Sequence, residues 1–342
     1  LESPDTRMFA LMDPRAFLKT GNQGIILDEI HRAPELLSYI QEMVDLNKNN
    51  VQYILTGSNQ FSIMNKITQS LAGRTAIFKL LPLSINELER SNISFYTEGV
   101  LLNGFYPAIY ANNLNPTKTY KNYYETYLER DLRQIINIKD LGLFQKFIML
   151  CAGRIGNIFN ASNISNEVGV SVTTIRSWIS ILETSFIVLL LQPYYENIRK
   201  RLIRSPKIYF YDVGLASYLL GIENQNQVSR DPLRGALFEN MLLMELVKHR
   251  YNTGSDHNLF FYRDSHQNEI DIIIKRGHKL IPIEVKFSQT FNIDFLKGLN
   301  YINRILASKI EKLFLVYDGT MEQNVGNCKI VNFRHLVKEA YK

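Results

Sequence analysis

Cysteine is scarce. Cys151 and Cys328 are the only two in 342 residues, and they lack the spacing of a metal site, so a reducing cytoplasm is the default compartment. Long apolar runs are missing as well. None approaches the roughly 18 residues that a transmembrane helix requires, so no membrane partner is expected. The first residues do not resemble a signal peptide, and there is no internal repeat or low-complexity tract. Acid does not dominate: 39 Lys and Arg stand against 33 Asp and Glu, a net +6, which is a mild bias toward anionic partners and no proof of nucleic-acid binding. No Gly-x-x-x-x-Gly-Lys-[Ser/Thr] run occurs, so the backbone cradle and lysine that hold β- and γ-phosphates are not among these residues. What is present suffices for sizeable cores: 46% hydrophobic residues and a length that suggests two or three domains.

The chain is organised around Gly24-Ile25-Ile26-Leu27-Asp28-Glu29. An apolar run that ends in two adjacent carboxylates reads as a buried strand whose tip emerges at a site. A second run, Val51 to Leu55, ends in the small polar residues Thr56, Gly57, Ser58 and Asn59. Between them Pro34 opens a helical pattern of Leu36, Leu37, Ile40, Met43 and Val44. Strand, helix, strand, with polar groups at both strand ends, is the βαβ unit of a nucleotide-binding sheet. Phosphoryl transfer needs one carboxylate for Mg²⁺ and a second group for the attacking water. Asp28 suits the first role and Glu29 the second, while Thr56 or Ser58 can sense the γ-phosphate. A capped loop after a core strand explains the same residues.

Leu1 to Arg7, Gly24 to Leu37, Leu55-Thr56-Gly57-Ser58, Leu71-Ala72-Gly73-Arg74 and Leu80 to Ser84 together resemble a prokaryotic AAA-type ATPase family. Its members pair this ATPase with a C-terminal domain of unknown function, and the resemblance spans nearly the whole chain. It implies Asp28-Glu29 as the Walker B pair, Ser58 near a sensor position and Arg74 as a finger-type arginine, with a salt-bridged surface arginine as the plainer alternative. It also implies ATP and Mg²⁺ as cofactors. The family's phosphate loop lies upstream of the segment that matches Leu1. The expectation is therefore an N-terminally truncated chain that by itself neither binds ATP tightly nor hydrolyses it.

Residues 85–140 read as a helical lid. Tyr120, Tyr123, Tyr124, Tyr127 and Leu128 form a stripe that is core in character, followed by Glu129, Arg130, Asp131 and Arg133. Residues 141–223 carry the cadence of a helix-turn-helix. Ile164 and Val168 pack the first helix, Gly169 allows the turn, and Ser171 caps the second. Thr173, Thr174, Arg176 and Ser177 line that second helix, where a DNA reader faces the major groove. A module used only for domain packing has the same pattern. Arg199, Lys200, Arg201, Arg204 and Lys207, flanked by Tyr194, Tyr195, Tyr209 and Tyr211, suit a phosphate backbone, and a solvated hairpin explains them too. Asn224 to Ser229 reads as a polar linker and a domain boundary.

Residues 230–342 hold the most complete chemical constellation. A helix from Arg234 carries Glu239, and the strands Phe260–Arg263, Glu269–Ile274 and Lys279–Lys286 follow. A further helix and the strand Lys312–Tyr317 come after them. The order α-β-β-β-α-β, with Asp271 on the second strand and Glu284-Val285-Lys286 on the third, resembles the core of PD-(D/E)XK nucleases. Alternation puts Glu284 and Lys286 on one face, and Glu269 and Asp271 on one face. With strands about 4.8 Å apart, Asp271 and Glu284 are expected to share one Mg²⁺, with Glu239 as third acid and Lys286 beside the attacking water. The alternative is an ion-paired hairpin in a fold without activity.

The reading is an α/β multidomain protein. It comprises a partial P-loop ATPase parallel sheet (1–84) with helical lid (85–140), a winged helix-turn-helix (141–223) and a restriction-endonuclease-like α/β domain (230–342). Its expected activity is that of an AAA-type ATP-binding protein acting on nucleic acid, with a metal-dependent nuclease or a non-catalytic adaptor as alternatives. The partners it allows are nucleic acid and further copies of the chain, in the cytoplasm.

Overall fold

The computed structural model describes residues 1–19, 24–46, 53–57, 71–128, 140–194 and 205–342. These divide into two compact units, Leu1–Ile77 and Phe78–Lys342. Ser58, Glu129, Arg130, Asp131, Arg133, Arg199, Lys200, Arg201 and Arg204 lie outside the described residues.

The first unit contains helices α1 (Pro4–Met12) and α2 (Pro14–Lys19), strand β1 (Ile25–Leu27), helix α3 (Leu36–Leu46) and strand β2 (Tyr53–Leu55). β1 and β2 are parallel, with Ile26 opposite Ile54 and Leu27 opposite Leu55. Side chains alternate along a strand. Leu27 is accordingly buried with Leu36, Leu37 and Ile40 of α3, whereas Ile26 (68% exposed) and Ile54 (50% exposed) point away from that core. The helix expected to open at Pro34 begins at Leu36, after a short 3-10 turn over Ile30–Arg32.

The second unit begins with α4 (Ile85–Arg90), α5 (Thr97–Asn103), α6 (Pro107–Ala111) and α7 (Pro116–Tyr123). Ser84 and Glu87 form a reciprocal capping box that starts α4. Tyr120 and Tyr124 of the aromatic stripe are buried in the main core, as their spacing suggests. Next come α8 (Leu141–Ala152), α9 (Ala161–Val168) and α10 (Val172–Thr184), then the antiparallel strands β3 (Val188–Leu191) and β4 (Lys207–Phe210). The turn between α9 and α10 follows its sequence signals. Gly169 takes φ +89°, a conformation costly for any residue with a β-carbon, and the Ser171 side chain accepts the Thr174 N–H.

Helix α11 (Val213–Leu219) follows, and where the sequence suggests a linker there is a helix, α12 (Gln225–Arg230). Asn224 and Gln227 cap each other at its start, and Val228 is fully buried. Then come α13 (Arg234–Asn252), β5 (Leu259–Arg263), β6 (Glu269–Arg276), β7 (Lys279–Lys286), α14 (Lys297–Leu306), β8 (Leu313–Tyr317), β9 (Gln323–Val325), β10 (Cys328–Asn332) and α15 (Leu336–Ala340). Their sheet runs β5-β6-β7-β8-β10-β9, antiparallel from β5 to β7 and parallel where β7, β8 and β10 meet. The central strands β6 and β7 are covered on both faces, α13 packing on one and α14 on the other, which accounts for their nearly unbroken apolar text. One core cluster runs from Ile85 to Ala340 and joins the helical modules to the sheet. Cys151 and Cys328 are buried free thiols. Among the described residues no helix is long and apolar enough to cross a membrane.

Candidate functional site

The first candidate lies at the tips of β1 and β2. Their ladder extends past the strands through Thr56 N–H to the Leu27 carbonyl and Ile30 N–H to the Thr56 carbonyl, both 3.0 Å. This register sets Asp28 beside Thr56, and the Thr56 hydroxyl donates to the Asp28 carboxylate. Glu29 follows in a left-handed turn (φ +53°), a conformation uncommon for a residue with a side chain, and its Oε2 lies 2.8 Å from His31 Nδ1. Of the residues expected here, the structure brings together Asp28, Glu29 and Thr56. Arg74 goes elsewhere: its guanidinium grips Asp45 of α3 at 2.5 and 3.0 Å, the plainer of the two roles its sequence position allowed. That guanidinium holds the Asp45 carboxyl below its ordinary range.

The second candidate is a cluster of carboxylates and lysines between α13 and the sheet. It is positioned by β4. The side chain of Asn240, fully buried on α13, accepts the Phe210 N–H at 2.7 Å and donates to the Phe210 carbonyl at 2.9 Å, doing for the strand edge what another strand would do. β3 pairs with the other edge of β4 and runs on to β5, where Tyr194 N–H reaches the Phe261 carbonyl at 2.7 Å. Held on both edges, β4 delivers two alternate side chains, Lys207 and Tyr209, to Glu239 on the next turn-face of α13. Lys207 Nζ is 2.5 Å from Glu269 Oε1 and 3.4 Å from Glu239 Oε1, and the Tyr209 hydroxyl donates to Glu239. Arg263 meets the other oxygen of Glu269 at 3.3 Å. Burial pushes the Glu239 carboxyl up to about 7, against the pull of Lys207 and Tyr209.

Asp271 and Glu284 each stand one residue beyond the paired Ile272 and Ile283 on adjacent strands, close enough for the Asp271 charge to raise the Glu284 carboxyl. Phe260 pairs with Ile273 and Tyr262 with Ile270, so Phe261 alone lies opposite both Asp271 and Ile272. This β-bulge resets the alternation of β6: Ile270 packs in the cluster of α14, and Ile272 in that of α13. Asp271 lines a cleft of about 480 Å³ with Glu239, Arg230, Arg234, Lys286 and Phe287, and its Oδ2 accepts the Val285 N–H at 2.8 Å. Glu284 alternates with Ile283 and Val285, both in the α13 cluster, and so turns toward α14. There it pairs with Lys286 at 2.6 Å, while its other oxygen is buried without a hydrogen-bond partner. Gly298 of α14 lies so near that a β-carbon would meet Glu284 Oε2 at 3.4 Å and the Glu269 carbonyl at 2.9 Å. Burial, then Asp271, pushes the Glu284 carboxyl up to about 8 against Lys286. Among the described residues no three His, Cys, Asp or Glu side chains are grouped to hold a metal ion.

On the helix-turn-helix, Thr173, Arg176 and Ser177 are exposed on α10 and Thr174 is half-buried against Ser171. The sequence reading counted Lys207 and Tyr209 in the basic, tyrosine-flanked stretch suited to a phosphate backbone and gave Asn240 no role; all three are buried here. The available signal was a lysine and a tyrosine alternating within the otherwise apolar text of Lys207–Phe210.

Comparison with known proteins gives three matches along the chain. Residues 1–89 match a family model described as an AAA domain. Residues 96–226 match a domain of unknown function (DUF8612), and residues 234–336 a second one (DUF4143). An uncharacterized protein of Mycobacterium tuberculosis is 28% identical over 312 residues, which cover 90% of this chain and 68% of that protein. An uncharacterized protein of Haemophilus influenzae is 24% identical over 280 residues, covering 76% and 66% respectively. The chain thus combines a match to an AAA domain with matches to two domains whose function is not described.

Proposed function

We propose that this protein is an AAA-type ATPase acting on nucleic acid. The observation that carries the reading is the pairing of Asp28 with Thr56 at the tips of adjacent parallel strands, inside the stretch that matches an AAA domain. The site suits Mg²⁺, since the exposed Asp28 carboxylate meets a neutral hydroxyl there. When bound with ATP, the ion supplies positive charge to the phosphates. Asp28 holds it, Thr56 fixes the rotamer of Asp28, and Glu29 orients the attacking water. The phosphate-binding loop that completes such a site is not among the 342 residues.

The test is ATP turnover in a protein that carries such a loop together with these residues. Glu29→Gln lowers kcat by about 10²-fold or more while nucleotide still binds. Undiminished turnover in that variant would overturn the assignment. Exposed Thr173, Arg176 and Ser177 on α10, the β3–β4 pair in the place of a wing, and the +6 net charge support nucleic acid as the partner. Binding to DNA that does not weaken as salt is raised would count against it.

A further inference from the structure

The carboxylate cluster already contains a cation. Lys207 reaches Glu269 at 2.5 Å and Glu239 at 3.4 Å, and its side chain is only 2% exposed. Its stem enters from β4, a strand fixed by β3 on one edge and by Asn240 on the other, so the ammonium has little freedom to withdraw. The Phe261 ring lies 5.4 Å from the ammonium. Burial alone would favour the neutral amine, but Glu239, Asp271 and Glu269 reverse that and keep Lys207 charged, well above its ordinary range.

We propose that Lys207 is the resident cation of this cluster, held between Glu239 and Glu269 at the cleft that Glu239 shares with Asp271, and that it keeps divalent ions out. Buried carboxylates require a counter-charge, and a fixed ammonium provides it without a metal. A second cation within hydrogen-bonding distance of the same oxygens would be repelled by the first. The geometry agrees: Glu239 Oε1 takes both Lys207 and the Tyr209 hydroxyl, Glu269 takes Lys207 on one oxygen and Arg263 on the other, and Asp271 Oδ2 takes the Val285 amide. The inference does not depend on the ATPase reading.

The test is a Mn²⁺ titration followed by the paramagnetic resonance of the free ion. It is run on the full chain carrying Asp28→Asn, so that binding at the tip of β1 does not contribute. With Lys207 present, no Mn²⁺ site that depends on Glu239 or Asp271 is expected. Lys207→Met should acquire one at least about tenfold tighter, and adding Glu239→Gln should remove it again. A site with Lys207 in place that is lost in Asp271→Asn, or no gain in Lys207→Met, overturns the proposal. If Lys207→Met fails to fold, added Mn²⁺ should restore its cooperative melting, and failure to do so also overturns it. Lys207→Arg, which retains the charge, should fold and exclude Mn²⁺ as the parent does.

Discussion

One carboxylate ties the last helix to the strand before it. Glu339 of α15 accepts from Lys329 on β10 and from Lys342. Those two hydrogen bonds, Lys329 first, hold its carboxyl down to about 2, from an ordinary value of 4.5. A carboxyl depressed in the folded state binds its proton more weakly there than in the unfolded chain, so it adds stability that is present above the unfolded value and is lost as pH falls through the folded one. The urea midpoint of the parent should therefore exceed that of Glu339→Gln by a constant margin above about pH 5. The margin should close as pH falls from 4.5 toward about 2. A margin that did not change with pH would remove the ion pair as its cause. Other single residues divide by how local their signal is. Asp28 was legible because an apolar run ends at it. Arg74 was not, because its partner Asp45 stands on a different element and only packing brings the two together.

At the scale of elements, the caps were readable and the registers were not. The α9–α10 turn is written in neighbouring residues, with Gly169 for the left-handed turn and Ser171 for the cap. The same kind of signal was present at Asn224 and Gln227, whose spacing matches a capping box, although the polar composition there suggested a linker. The bulge beside Asp271 arises between two strands and leaves no mark in either one alone. The docking of β4 on α13 depends on Asn240, more than twenty residues away in sequence. Asn240→Ala makes that docking measurable. It leaves the Phe210 N–H and C=O buried without partners, at a cost of about 1–3 kcal/mol for each group. The Phe210 amide should exchange with solvent faster than amides of β8, and Lys207 and Tyr209 should lose their fixed place beside Glu239. Unchanged exchange at Phe210 would mean that β3 and the backbone of residues 156–159 hold the strand without Asn240.

For the larger unit as a whole, the question is whether the helical modules and the sheet are separate bodies. Family matches meet between residues 226 and 234, yet the buried core crosses that point without a gap, through Val228, Leu237, Phe238 and Met241. The chain has one tryptophan, Trp178, and it sits on α10 with its ring 5.2 Å from Phe144 and 5.5 Å from Phe147. Its fluorescence therefore reports on the helix-turn-helix end of the core. Leu246 is fully buried on α13, on the far side of the family boundary. Truncating it to alanine should cost about 2–5 kcal/mol, because a buried leucine side chain leaves both lost contacts and a cavity. If the core is one cooperative body, the loss appears equally in Trp178 fluorescence and in the hydrogen exchange of the β7 amides from Ile281 to Val285. If the modules fold apart, only β7 responds and the Trp178 midpoint stays where it was. The continuous apolar packing from Ile85 to Ala340 favours the first outcome.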